Sequence, residues 1–265
     1  MKPKDAETSL EREFDQHFEL PTIRSVTPGR PFAWLALGVR DMRANLVESL
    51  VYGTVVAIAG WLIWAYTKDR PQLFTTSVTS FFLIAPLLAA GLYEISRRQE
   101  RNIHTSFGES LQAWRASGGA LVHFGLALVL WAIFWERISA ILFALSYQGQ
   151  APDMRSFFRD VFLSGNYPEV VLAYLAVGTV FATIVFVVSA ISIPMLLDRN
   201  GDIYTAMATS FLAVTRNISA MIIWAALIVI LSAIGFATLL FGMIVIFPIL
   251  GHATWHAYRD LAQWE

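Results

Sequence analysis

The chain has 265 residues, of which 56% are hydrophobic and only 15% are charged. Soluble domains usually carry about a quarter charged residues, so the composition excludes an ordinary soluble protein and indicates a polytopic membrane protein. The net charge of −1 gives no general attraction for nucleic acid, and we expect no nucleic-acid partner. Because the chain contains no cysteine, disulfides, thiolate catalysis and cysteine-ligated metal sites are excluded.

Residues 1–30 predict an acidic cytoplasmic tail followed by an extended arm. Glutamate and aspartate concentrate before Leu20, while Pro21, Pro28 and Gly29 disfavour a helix in the arm. Residues 31–265 predict one membrane domain.

Six apolar segments are long enough to cross a bilayer, which takes about 20 helical residues. They are residues 46–66, 73–95, 119–138, 168–197, 218–236 and 240–260. The last two form one apolar run from Ile218 to Tyr258, which would be roughly 60 Å long as a single helix and must therefore fold back. Gly235 and Gly242 bracket the predicted turn. The sequence thus predicts an all-α protein with six transmembrane helices.

Basic residues predict the orientation of these helices. With the N-terminus inside, most of the 19 lysines and arginines fall in the inner segments. Because cytoplasmic loops carry an excess of lysine and arginine, both termini are expected to be cytoplasmic. The predicted location is a bacterial inner membrane, which the chain crosses several times.

Three amphipathic stretches suggest a threefold repeat, each unit being an amphipathic helix followed by a helix pair. Apolar residues recur at steps of three and four, which predicts one apolar face per helix. Ser106 and Glu109 predict a capping box at the start of the second stretch. A proline recurs in the second helix of each pair, at Pro86, Pro194 and Pro248. The apolar positions are Phe32, Leu35, Val39, Met42 and Leu46; Phe107, Leu111 and Trp114; and Ile203, Met207, Phe211 and Val214.

Aligning the three prolines predicts a polar cluster at the cytoplasmic mouth. Ionisable groups in or beside membrane spans are costly and are therefore functional candidates. The cluster could close the bundle, bind a cation or relay a proton. The alignment makes Glu94, Asp202 and His256 equivalent, and likewise Asp198 and His252.

His252 and His256 are four residues apart, which places them on one face of a helix. That spacing could hold a metal if Glu94, Asp198, Asp202 or His104 supplied further ligands. Alternatively, the two histidines are favoured simply because they lie near the negative end of a helix dipole. We expect no cofactor.

Glu136 and Arg137 form an adjacent charged pair in the third predicted span. They lie about 27 Å from Gly119 at the helical rise, which predicts a position at the outer face of the membrane. The alternative is a charged pair buried inside the bundle.

Two strings resemble hallmarks of a bacterial family of integral membrane proteins of unknown function. They are Gly91-Leu-Tyr-Glu-Ile-Ser-Arg-Arg-Gln-Glu100 and Gly251-His-Ala-Thr-Trp-His-Ala-Tyr-Arg-Asp260. The resemblance extends from about Ile23 to Leu261. Some members are labelled putative cytochrome c oxidase components. The catalytic subunit of a cytochrome c oxidase needs more histidines in its membrane helices, as ligands for its haems and copper, than the three found here, His123, His252 and His256. The resemblance therefore implies an accessory role at most.

Soluble catalytic motifs are missing from the sequence. It contains no P-loop, dinucleotide-binding glycine fingerprint, His-Glu-x-x-His or Gly-x-Ser-x-Gly. The sequence and the resemblance together predict a non-catalytic accessory or assembly subunit of a larger inner-membrane complex, with a respiratory complex as one candidate. A small transporter or channel with a polar cytoplasmic mouth is the main alternative, and a lipid-modifying enzyme that uses His252 and His256 is another.

Overall fold

The computed structural model describes residues 20–68, 85, 87–116, 118–146, 159, 161, 164–199 and 201–264. The described residues are mainly helical. In chain order the elements are β1 (Thr22–Ile23), α1 (Arg30–Ala44), α2 (Leu46–Thr67), α3 (Ala90–Glu100), α4 (Phe107–Ser110), α5 (Ala113–Ala116), α6 (Gly118–Ser146), α7 (Pro168–Ser189), α8 (Ser192–Arg199), α9 (Ile203–Arg216), α10 (Ile218–Ala237), α11 (Met243–Leu261) and β2 (Ala262–Gln263).

Within the described residues, 4 helices are long and apolar enough to cross a membrane. They are Leu46–Thr67, Gly119–Leu142, Pro168–Arg199 and Ile218–Ala237, and they correspond to four of the six predicted spans. The predicted span at 73–95 lies mostly outside the described residues. The predicted span at 240–260 corresponds to α11, which is helical but polar in its C-terminal half. A membrane protein with several apolar helices is confirmed, whereas six spans remain a prediction.

Helix α11 is surrounded by other helices along much of its length. It packs against α1, α2, α3 and α10, and its buried residues extend from Met243 to Leu261. Two glycines allow this close approach. A Cβ atom on Gly38 of α1 would lie 2.6 Å from the carbonyl oxygen of Ile249, and one on Gly53 of α2 would collide with the backbone of Ile244. Small residues at helix contacts allow membrane helices to approach closely.

The amphipathic helices α1 and α9 pack against the bundle through faces that mix small, polar and large apolar residues. In α1 the face on the bundle contains Trp34, Gly38 and Asp41, while Phe32 of the predicted apolar stripe is exposed. In α9 the buried face contains Thr205, Ala206, Thr209, Ser210 and Ala213, while Phe211 is exposed. The predicted apolar stripes are therefore divided. Phe32 and Phe211 are exposed, Met42 is buried, and the remaining members that pack against the core are Leu35, Ile203, Met207 and Val214.

A break between α7 and α8 is stabilised by α9. The helix is interrupted at Ala190 and Ile191. Ser210 Oγ donates to the carbonyl of Val187 at 2.8 Å and accepts from the amide of Ile191 at 3.4 Å. Ser192 Oγ donates to the carbonyl of Ala206 at 3.0 Å. Backbone groups released by a broken membrane helix need such partners, because lipid offers none.

The two ends of the described chain are joined. Strand β1 pairs antiparallel with β2, with Thr22 opposite Gln263. Asp260 accepts hydrogen bonds from Arg24 at 3.3 Å and from Trp34 Nε1 at 2.8 Å, and it also pairs with Arg30. At the other end of α11 the chain reverses at residues 238–242, where Leu239 and Leu240 have positive φ angles of 54° and 72°.

Some local features of the predicted repeat can be compared directly. The capping box of Ser106 and Glu109 is confirmed. The turn before α2 and the turn before α10 share one geometry, with φ and ψ of −128° and 54° at Asn45 and of −126° and 38° at Asn217. Each asparagine side chain donates to the carbonyl four residues earlier. This likeness concerns two of the three units, and the threefold repeat remains a prediction.

Candidate functional site

Five polar side chains from four helices form one buried hydrogen-bonded cluster, here named the Asp41 network. Its members are Asp41 of α1, Ser49 of α2, Ser96 of α3, and His252 and His256 of α11. Ser49 lies about 4.5 Å from the start of α2 at the helical rise. The network therefore lies at one end of the bundle, on the side that also holds the paired chain ends.

The distances define a continuous chain of contacts. Ser96 Oγ donates to Asp41 Oδ2 at 2.9 Å and lies 2.8 Å from His252 Nδ1. His252 Nε2 lies 2.9 Å from Ser49 Oγ. His256 Nε2 lies 2.8 Å from the same Oδ2 atom of Asp41.

One arrangement of protons satisfies all these contacts. An ionised carboxylate only accepts, so the hydroxyl proton of Ser96 is donated to Asp41. Ser96 Oγ can then accept a hydrogen bond from His252 Nδ1–H, which leaves His252 Nε2 to accept a hydrogen bond from the Ser49 hydroxyl. His256 donates to Asp41 through Nε2. His252 is thereby a neutral imidazole with both ring nitrogens hydrogen-bonded.

The network is removed from solvent. Asp41 is 1% exposed, His256 is 8% exposed, and Ser49, Ser96 and His252 are fully buried. Desolvation is the largest single influence on the pKa of Asp41 and raises it. The hydrogen bond and charge of His256 and the hydrogen bond from Ser96 act in the opposite direction and hold this pKa below its ordinary value.

One atom of the network lacks a hydrogen bond. Asp41 Oδ1 is buried and finds no hydrogen-bond partner in the described part of the chain. A guanidinium nitrogen of Arg40 lies 3.6 Å from it, but this arginine side chain is largely exposed. The charge on Asp41 is therefore balanced mainly through Oδ2.

The predicted site residues have different surroundings. His252 and His256 both belong to the Asp41 network. Glu94 accepts hydrogen bonds from Arg97 at 2.7 Å and 3.0 Å and from Arg98 at 2.7 Å. Glu94 and His256, which the alignment of the prolines made equivalent, thus have partners of different kinds.

The two predicted aspartates also have local partners. Asp198 accepts a hydrogen bond from the Tyr258 hydroxyl at 2.9 Å. Asp202 caps the N-terminus of α9, where it accepts from the amide of Thr205 at 2.9 Å and from its hydroxyl. Desolvation raises the pKa of Asp202, but the hydrogen bonds from Thr205 have the opposite and larger combined effect. The pKa of Asp202 therefore lies below its ordinary value. Among the described residues, no group of three or more acidic or histidine side chains is placed to hold a metal ion.

Glu136 and Arg137 pair with each other in α6. Arg137 Nε lies 3.0 Å from Glu136 Oε2, and the arginine side chain is 73% exposed. Beside them, Trp135 packs edge-on against Tyr174 of α7, with ring centroids 5.6 Å apart. The Arg137 side chain is thus exposed at the surface of the protein, and the position of the pair at the outer face of the membrane remains a prediction.

Sequence reasoning missed three members of the Asp41 network. Asp41 follows Trp34 by seven residues and Gly38 by three, so it lies on the face of α1 that packs against α11. A single acid on the small-residue face of an amphipathic helix is a signal that could have indicated it. Ser49 and Ser96 carry no comparable signal, because serine is common in helices and its partners here are distant in sequence.

Comparison with known proteins supports the membrane assignment. Residues 73–198 match the model of a family described as "Predicted integral membrane protein (DUF2189)". The match includes the string from Gly91 to Glu100 and ends before the string from Gly251 to Asp260. The match supports the resemblance to an uncharacterised family of integral membrane proteins. It also implies that the chain contacts the lipid bilayer. No curated protein and no solved structure matches the chain.

Proposed function

We propose that this chain is a non-catalytic integral membrane protein that serves as an accessory or assembly subunit of a larger bacterial inner-membrane complex. The observation that carries the proposal is the closed interior around α11. Hydrogen bonds join the five members of the Asp41 network to one another, and all five side chains are buried. Buried polar groups joined in this way, with Asp41 Oδ1 as the one unpaired atom among them, fix the arrangement of the four helices.

The apolar outer surface is the second observation that supports a role as a subunit of a larger membrane complex. In the segment Pro168–Arg199, only 6% of the residues in its most apolar 18-residue stretch are buried within the protein. Leu172, Leu175 and Val180 of α7 are all more than half exposed. Such a surface contacts lipid or other membrane proteins. The acidic segment before Leu20 adds a charged region that could dock a basic partner.

The composition of the gently solubilised complex tests this proposal. The tagged chain, expressed at its native level, should co-purify in constant stoichiometry with at least one other integral membrane protein in two different detergents. Reversing the charge of Glu7, Glu11 and Glu13 should weaken that association. Neutral substitutions of the exposed basic residues Arg43 and Arg216 serve as the matched control. Recovery of the chain alone in both detergents would overturn the proposal.

A small transporter is the second candidate, and one observation favours it. The contacts Ser49–His252–Ser96–Asp41–His256 form an unbroken line of groups able to exchange protons. Chains of this kind serve as proton relays in pumps and transporters. A relay would need water to reach both ends of the line during a transport cycle.

Proton flux into proteoliposomes tests the second candidate. A transporter should acidify the lumen faster than empty vesicles do, and Ser96→Ala should remove that flux because it interrupts the line. Ser189→Ala is the matched control, since within the described residues the Ser189 hydroxyl bonds only to the carbonyl of Val185 in its own helix. Flux equal to that of empty vesicles would exclude proton transport.

A further inference from the structure

An open cleft of about 380 Å³ lies beyond the Asp41 network, where three helices end. Its lining comes from the C-terminal ends of α3, α8 and α11. The lining residues are Arg97, Arg101, Arg199, Arg259, Glu100 and Asp198, and we name this feature the arginine cleft. Its volume falls in the range of pockets that hold small ligands.

Three of the four arginines are held in position by other side chains. Glu94 binds Arg97 through both carboxylate oxygens, at 2.7 Å and 3.0 Å. Arg259 Nε lies 3.2 Å from Glu100 Oε2. The guanidinium of Arg199 stacks 4.9 Å from the ring centre of Trp264.

The carboxylates in the cleft are themselves anchored. Asp198 accepts from the Tyr258 hydroxyl at 2.9 Å, and Glu100 accepts from Trp255 Nε1 at 2.9 Å. Asp198 lies 3.7 Å from both Arg199 and Arg259, so it orients two guanidinium groups at once. An anion entering the cleft would therefore meet three guanidinium groups whose positions are already fixed, those of Arg97, Arg199 and Arg259, which reduces the entropy cost of binding.

One arginine of the cleft is left without a carboxylate. Four arginines line the cleft with two carboxylates, Glu94 pairs with Arg97 from beside the lining, and in the described part of the chain Arg101 has no ion-pair partner. Helix C-termini carry about half a negative charge each, which favours arginine at these positions. That effect explains why arginines collect at the helix ends, but it leaves the donors of Arg101 and most of those of Arg199 free.

We propose that the arginine cleft binds a phosphate-bearing anion. Guanidinium groups present parallel N–H donors that match the oxygens of a phosphate, and such charge-assisted hydrogen bonds are strong. Arg101 and Arg199 supply donors to the anion, while Glu94, Glu100 and Asp198 position Arg97 and Arg259. The anion can be the headgroup of an acidic phospholipid or a free phosphate. This inference is independent of the accessory role proposed above.

Two probes distinguish these sources. Native mass spectrometry of the full chain in detergent, with added phosphatidylglycerol or phosphatidylcholine, measures lipid retention. Titration calorimetry with inorganic phosphate measures binding of the free anion. Preference for phosphatidylglycerol with no phosphate heat assigns a lipid headgroup, and phosphate binding without lipid preference assigns a free anion. If neither probe binds, the proposal is overturned.

Variants locate the binding within the cleft. Replacing Arg101 and Arg199 together by glutamine should weaken binding of the active probe by at least about tenfold, or 1.4 kcal/mol. The control replaces Arg43 and Arg216, two exposed arginines outside the cleft, and should leave binding unchanged. If the double variant does not fold, Arg101→Gln alone decides, because Arg101 is exposed and forms no ion pair among the described residues. An equal loss in the control would show general attraction to charge and would overturn the proposal.

Discussion

At the scale of single residues, Asp41 connects α1 to both histidines of α11. Its Oδ2 atom accepts from Ser96 and from His256, and Ser96 passes the connection on to His252. Removing a carboxylate from such a site leaves its donors buried without an acceptor. Substitutions of that kind are more damaging than the net value of one hydrogen bond suggests.

Replacement of Asp41 by alanine should therefore destabilise the protein by about 3 kcal/mol, because His256 and Ser96 lose their common acceptor. The free energy of unfolding in mixed detergent micelles measures the effect. Glu109→Ala is the control, since it removes an exposed carboxylate from a capping box and should destabilise the protein less than Asp41→Ala. Equal losses in the two variants would contradict a stabilising role for the Asp41 network.

The lowered pKa of Asp41 predicts a dependence on pH. A group whose pKa is lower in the folded state adds stability above its unfolded pKa, which for aspartate is about 3.9, and that stability is lost as the pH falls through the folded value. The stability advantage of the native chain over Asp41→Asn should thus be complete at pH 7 and pH 5 and shrink below about pH 4. Unfolding midpoints at these pH values test it, and an advantage lost between pH 7 and 5 would contradict it.

At the scale of helices, the packing around α11 depends on small residues. The Gly53/Ala57 pair and the Ala253/Ala257 pair lie on helices that contact each other, and all three alanines are fully buried. Sequence alone could not give these pairs weight, because small residues three or four apart are frequent in alanine-rich helices. Their partners become known only when the helices are placed together.

Gly53→Ala should destabilise the protein by about 1–3 kcal/mol, since the added methyl group collides with the backbone of Ile244 and forces α2 away from α11. Gly108→Ala is the matched control. It lies in α4 with nothing within 4 Å of the added Cβ atom, and it should be neutral or stabilising because alanine favours a helix over glycine. Unfolding of both variants in the same detergent measures the difference, and a neutral Gly53→Ala would show that α2 and α11 are not in close contact.

At the scale of the whole molecule, the two ends of the bundle differ in character. One end holds the Asp41 network, the arginine cleft and the paired strands β1 and β2. The other holds the turn at 238–242, where Trp61 Nε1 donates to the carbonyl of Leu239 at 2.7 Å. The distribution of lysine and arginine assigns the first end to the cytoplasm, and this orientation remains a prediction.

The absence of cysteine from the chain makes the orientation directly testable. Single variants His104→Cys, Asn166→Cys and Leu239→Cys replace exposed residues. With the termini inside, a membrane-impermeant maleimide should label positions 166 and 239 in intact cells, and position 104 only after permeabilisation. The unmodified chain is the control. The opposite pattern would reverse the predicted topology.

The sequence by itself determined the class of the protein and the positions of four apolar helices, because these depend on local composition and length. It also determined the capping box at Ser106 and the helical character of the first and third amphipathic stretches, whereas the second forms the two short helices α4 and α5 separated by a turn. It placed His252 and His256 on one helical face, since four residues make slightly more than one helical turn.

Only the tertiary structure decided the partners of those histidines. Periodicity gives the direction of a side chain around its own helix but not the rotation of that helix against its neighbours. The packing divides the apolar stripe of α1, since Met42 is buried while Phe32 is exposed, and the face with Trp34, Gly38 and Asp41 lies against α11. That rotation brings Asp41 to His256, and no pattern within a single segment could reveal it.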